Sequence, residues 1–330
     1  MNLKNKNSNI IFWVFGTLLI LIAGFRPIGI DRDSLNYVSV LQFPFSENSL
    51  LANEPFFLLT IFINNILFGA EPRSFFLMFA ALGVSWKLYA IRKVATFPLL
   101  SIITYIFLYF VLHEMTQIRV GVAAAIFLAS IPDIVSKDRR SFLMKVMLAM
   151  CFHYSAIIMF PLYLLNSRKF GKYAYFALPI FGLVCALATS ITLPMFAYLI
   201  GLLPESIGYK LNLYVLFLTE DDQSQISLLN PYYVSLTIFY LFLVGNYKLL
   251  KGEYDIVLLK IFGFALLAYF SLSFVPVFSF RVAEFLSVVL IVLIPNALRM
   301  FAGRMIPASI AGIWMMGYFF AIMLGQNLSR

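Results

Sequence analysis

Charge is scarce in this chain. Asp, Glu, Lys and Arg together make up 12% of its 330 residues, against 62% hydrophobic side chains. A water-soluble domain carries about a quarter charged residues, so this balance excludes one. Cysteine is scarcer still: Cys151 and Cys185 both sit in apolar runs, without metal-ligand spacing. That excludes a disulfide framework, and both read as packed thiols. No Walker motif, dinucleotide glycine fingerprint, zinc pattern or GxSxG elbow occurs. Their absence removes ATP-driven transport, nicotinamide redox chemistry and the common hydrolase mechanisms. The short alternating segments of a membrane β-barrel are missing too.

What the chain does have is apolar runs near the ~20 residues needed to cross a bilayer as a helix. The first, Ile10 to Phe25, follows Lys4 and Lys6 and lacks a small-residue cleavage site, so it reads as a retained helix with a cytoplasmic N-terminus. Further runs fall at about 55–70, 74–91, 97–112, 119–135, 142–165, 173–193, 231–247, 255–275, 280–295 and 306–324. The expectation is an all-α, polytopic integral membrane protein of about 10–11 transmembrane helices, some of them re-entrant or interfacial. Leu193 to Leu203 is too short to cross and reads as a surface segment. No internal repeat and no soluble domain is visible, so residues 1–330 read as one membrane domain with polar loops at about 26–53 and 204–230. The net charge of +9 fits basic loops facing anionic lipid and does not argue for nucleic acid. The basic clusters include Lys87/Arg92/Lys93, Lys137/Arg139/Arg140 and Arg168/Lys169/Lys172. They cannot all be cytoplasmic if every run crosses, so only the N-terminus (inside) and the 26–53 loop (outside) are assigned.

Candidate chemistry concentrates where ionisable groups meet apolar runs. Arg26 to Tyr37, RPIGIDRDSLNY, packs two arginines and two aspartates into twelve residues. Asp31 and Asp33 read equally as solvated carboxylates paired with Arg26 and Arg32. Their DxD pattern is too short to count as a metal-nucleotide motif. Glu54, ahead of Pro55, suits a helix N-terminus. In HEMTQIR (113–119), Glu114 and Gln117 share a helix face while Arg119 points elsewhere. Arg119 reads either as a phosphate clamp or as a snorkelling arginine paired with Glu114. His153 lies mid-run and is either structural or lines a cavity. Arg281 and Glu284 stand three apart and read as a pair or as part of a site.

In this order the elements resemble the EpsG-like and Wzy-type bacterial polysaccharide polymerases. The matching pieces are Arg26 with GIDRDSLNY (29–37), Glu54, QIR (117–119) opening an Ala-rich span, FHYSA (152–156) and FRVAEF (280–285) before Pro295. The resemblance implies a glycosyltransferase-C-like helical bundle in the bacterial inner membrane, its active site facing outward. It implies transfer of a growing glycan from undecaprenyl diphosphate to a new lipid-linked repeat unit. Arg119 and Arg281 are the expected donors to the diphosphate leaving group. His153, Asp31 or Asp33 is the expected base, and Arg26, Arg32, Tyr37, Glu54 and Gln117 are the further binding residues. The donor is already activated, so no cofactor and no metal is expected. Expected partners are the lipid-linked glycans, membrane lipids, a chain-length regulator and a flippase. Rival readings are an O-antigen ligase or other lipid-linked glycosyltransferase, a lipid-linked glycan flippase, and an O-acyltransferase with His153 as base.

Overall fold

The computed structural model describes residues 6–31, 33–42, 53–202 and 227–328. Arg32 lies outside the described residues, as do Glu205, Glu220, Asp221 and Asp222 of the second polar stretch. Among the described residues every regular element is helical. In chain order these are α1 (Lys6–Gly24), α2 (Ser34–Gln42), α3 (Pro55–Phe68), α4 (Pro72–Val94), α5 (Pro98–Tyr105), α6 (Ile118–Ser136), α7 (Arg139–Phe152), α8 (Lys172–Leu187), α9 (Thr189–Gly201), α10 (Pro231–Gly245), α11 (Asp255–Ser271), α12 (Pro276–Ser287), α13 (Leu290–Ala297) and α14 (Met305–Leu328). Prolines open α3, α4, α5 and α10. The first turn has no partner for its backbone N–H, so proline loses nothing there and its fixed φ suits the helix. The all-α membrane architecture expected from the apolar runs is present.

Among the described residues, three segments are each long and apolar enough to cross a membrane: Pro72–Val94, Pro98–Thr116 and Ile118–Ser136. The second is α5 continued by a π-helical stretch, Ile106–Thr116. The bent pair α12 and α13 passes the same test only when taken together.

The chain divides into two compact units: residues 1–167, 249–257 and 288–330, and residues 168–248 and 258–287. The first is built around α6. Every residue from Val120 to Ile134 is buried, which the small side chains of Gly121, Ala123, Ala124, Ala125 and Ala129 permit. Its neighbours are chiefly α4 and α7, and α1 packs on α4. The exposed face of α1 carries Ile10, Trp13, Val14, Leu18 and Ile22, side chains suited to lipid tails. Asn296 ties one end together, donating to Asp255 at 2.7 Å and accepting from the Thr96 N–H at 3.0 Å.

The run expected as one span at 142–165 is not one helix. It breaks at His153, whose backbone is extended (φ −157°, ψ 119°), and continues as a 3-10 helix, Tyr154–Leu164, containing Pro161. Pro161 cannot donate an α-helical bond back to Ile157, and the break at His153 turns the imidazole towards the buried Glu54 carboxylate.

The second unit contains α8, α9, α10 and α12. The Tyr233 and Tyr269 rings stack with centroids 3.4 Å apart, and the Tyr240 hydroxyl donates to the Tyr175 carbonyl at 2.8 Å. Lys260 is buried and donates to the Lys169 carbonyl. Arg281 and Glu284 are half-buried on α12.

Candidate active site

Four of the singled-out residues, Tyr37, Glu54, Arg119 and His153, converge in the first unit. Glu54 stands ahead of Pro55 at the start of α3, its backbone extended (φ −75°, ψ 151°), but its side chain makes no capping bond. The carboxylate instead bridges two partners. Oε2 accepts from Arg119 Nη1 at 2.6 Å, and Oε1 accepts from His153 Nδ1 at 3.0 Å. Arg119 lies in the first turn of α6 and His153 at the break after α7. The partners are 65 and 99 residues from Glu54, so no local spacing rule finds them.

Asn53 completes the arginine's shell, its Oδ1 accepting from the same Nη1 at 3.1 Å. The guanidinium lies over the Phe57 ring at 4.7 Å and near Tyr37 at 6.0 Å. Such aromatic faces favour a cation through their quadrupole. Both hydrogen bonds use Nη1 of a group that has five donors. The Arg119 side chain also keeps 26% of its surface exposed, against 5% for Glu54 and 13% for His153. It is therefore the cation of this cluster that meets the outside.

Burial acts to raise the Glu54 pKa, but the His153 hydrogen bond and the charge of Arg119 outweigh it and hold the carboxyl down at about 2. An ionised Glu54 accepts from Nδ1–H, which leaves the lone pair on Nε2. That Nε2 is buried and has no hydrogen-bond partner among the described residues. A carboxylate that fixes the tautomer of an imidazole with its second nitrogen available is the arrangement a general base requires. Burial pushes the Tyr37 phenol up to about 12, so it stays protonated beside the arginine.

The Arg26–Tyr37 loop is a separate cluster with a different character. Arg26 Nε donates to Asp31 Oδ2 at 3.0 Å, Nη1 to the Ala23 carbonyl at 2.8 Å, and Nη2 to the Met115 carbonyl at 2.7 Å. The guanidinium also stacks over Phe76 at 4.0 Å, and both charged side chains are 1% exposed. The other Asp31 oxygen accepts from the N–H groups of Asp33 and Ser34, fastening the start of α2. Asp33 is half-buried beside it. The structure thus seals Arg26 and Asp31 together and brings Tyr37, Glu54, Arg119 and His153 together. Gln117 is the hinge residue before α6 (φ −99°, ψ 58°), and Arg281 belongs to the second unit.

The pairing of Arg119 with Glu114 does not occur. Glu114 is bound by Lys87, a residue expected in a loop-facing basic cluster but wholly buried on α4. Sequence reasoning missed Lys87 because Arg92 and Lys93, one turn on, do lie at the end of the helix. Asn53 was missed as well, since an asparagine before a helix reads as a turn residue.

No curated protein and no solved structure matches the chain. A family model described as the EpsG family matches residues 9–328, nearly the whole length. That match supports a membrane protein of polysaccharide polymerisation, and the chain belongs to the EpsG family.

Proposed function

We propose that this protein joins undecaprenyl-diphosphate-linked repeat units into polysaccharide at the outer face of the cytoplasmic membrane. The observation that carries the reading is the Glu54 carboxylate shared between Arg119 and His153. A hydroxyl of the incoming lipid-linked repeat attacks the anomeric carbon of the growing glycan. Its proton passes to His153 Nε2, the bond between anomeric carbon and diphosphate oxygen breaks, and the electron pair leaves on the diphosphate. Arg119 neutralises the charge that develops there. Glu54 orients the imidazole and stabilises it once protonated. The protonated Tyr37 phenol stands beside Arg119, and Gln117, Asp33 and Arg32 are proposed as further substrate-binding residues.

Arg119→Ala and His153→Ala test this in a strain lacking the chromosomal copy, read as a glycan ladder. Both variants are expected at the membrane in normal amount, with single repeats on the carrier lipid and no ladder. A full ladder from Arg119→Ala would overturn the clamp, and one from His153→Ala would overturn the base.

A further inference from the structure

Besides the sealed Arg26–Asp31 pair, the proposed chemistry leaves a second deeply buried ion pair unused among the described residues. Lys87 Nζ donates to Glu114 Oε1 at 2.5 Å and to the Gly121 carbonyl at 2.9 Å, and neither charged side chain is more than 1% exposed. Three segments meet at this ammonium: α4, the π-helical stretch and α6. Two glycines make the approach possible. A Cβ on Gly83 would run into the Glu114 carboxylate, and one on Gly121 into the backbone carbonyl of His113. Burying two charges this deeply gains little over apolar packing of the same volume. Stability alone therefore gives a weak account of the pair.

Its place in the chain gives a better one. Glu114 stands in the last turn of the π-helical stretch, where the Gln117 N–H donates to the Leu112 carbonyl, five residues back, at 2.7 Å. π-helical turns recur where a helix is reshaped for function. The chain then breaks at Gln117, and α6 starts at Ile118 with Arg119 in its first turn. The Gly121 N–H donates to the Gln117 carbonyl at 2.8 Å, tying the new helix to the break. Lys87 thus grips the chain on both sides of the hinge: Glu114 three residues before Gln117, Gly121 four residues after it. Arg26 holds the same turn through the Met115 carbonyl.

We propose that Lys87 and Glu114 are positioning residues for Arg119: the buried pair fixes the π-helical turn and the break, and so the direction in which the Arg119 guanidinium leaves α6. They touch neither the substrate nor the reacting atoms. The proposal rests on Arg119 being the diphosphate-binding cation, and its test separates the two.

The experiment uses the full chain in lipid nanodiscs with undecaprenyl diphosphate as the probe, together with the glycan ladder in cells. The double substitution Lys87→Met/Glu114→Leu removes both charges and leaves neither one stranded. Its thermal midpoint is expected to stay near that of the parent. Its affinity for the probe is expected to weaken about tenfold, and chain elongation on the order of a hundredfold, because a cation displaced by about 1 Å loses that much. Parental affinity and a parental ladder would overturn the positioning role, as would a lowered midpoint with unchanged affinity, which marks a purely structural pair. Should the double variant not fold, Lys87→Gln/Glu114→Gln, which also strands no charge and keeps hydrogen-bonding groups at both positions, is judged by the same two readouts. Arg119→Ala is the control. If it binds the probe normally, the clamp itself is wrong. If it loses the probe while the charge-free double variant keeps it, only the positioning proposal fails.

Discussion

Two ionic clusters of the first unit, one local in sequence and one assembled from distant segments, differ in what they leave available. Around Arg26, each of the three guanidinium nitrogens has a partner, and Arg26 and Asp31 are both 1% exposed. Around Glu54, the arginine is 26% exposed and the histidine keeps a nitrogen unpartnered among the described residues. The denser run of charge in the sequence therefore builds the closed cluster, and the sparser one builds the open cluster. A buried arginine satisfied on every side secures backbone, whereas a partly exposed one whose bonds to Glu54 and Asn53 share Nη1 still has donors to give.

The same chemical change made in each cluster sharpens this contrast. Glu54→Gln removes the charge that orients His153 and faces Arg119. Polymer formation is expected to fall by about a hundredfold or more, measured as chain length and glycan yield per membrane-inserted protein. Asp31→Asn should act in the other direction. It leaves Arg26 as an uncompensated buried charge and destabilises by about 3–5 kcal/mol, read as a lower thermal midpoint. The folded fraction should still polymerise. If Asp31→Asn silenced the folded protein while Glu54→Gln did not, the assignment of roles would be reversed.

A smaller effect concerns pH. The folded Glu54 carboxyl sits at about 2, below its ordinary 4.5, so the unfolded chain takes up the proton first as pH falls. Its contribution to stability is thus complete above about 4.5 and is lost as pH drops towards about 2. The thermal midpoint of the parent should fall across that window, and Glu54→Gln should lack this component of the fall. The smallest change is expected from Tyr154→Phe. Its hydroxyl reaches the Asn53 carbonyl at only 3.5 Å in an exposed position, so stability should move by no more than about 0.5 kcal/mol. A large effect there would extend the open cluster to Tyr154.

Much of the helical layout was legible before any coordinates. The proline-led starts at Pro55, Pro72, Pro98 and Pro231 each mark the edge of an apolar run. Helix type follows from local rules that a short window contains. The break at His153 was not legible, because its neighbours are as apolar as those of an unbroken span. Of the candidate site, the residue types Glu54, Arg119 and His153 were visible, but Glu54 read locally as a helix-start residue and Arg119 as either a phosphate clamp or a partner of Glu114, so their meeting was not.

Length and apolar content by themselves determined that this chain is a helical membrane protein, since only runs of this size satisfy the backbone inside lipid. Its ordered short motifs determined the family resemblance. Only the tertiary structure decided which charges meet: Arg119 with Glu54, Glu54 with His153, and Lys87 with Glu114. Ion pairing follows distance in space, and helices that cross bring together groups whose sequence separation carries no trace of the encounter.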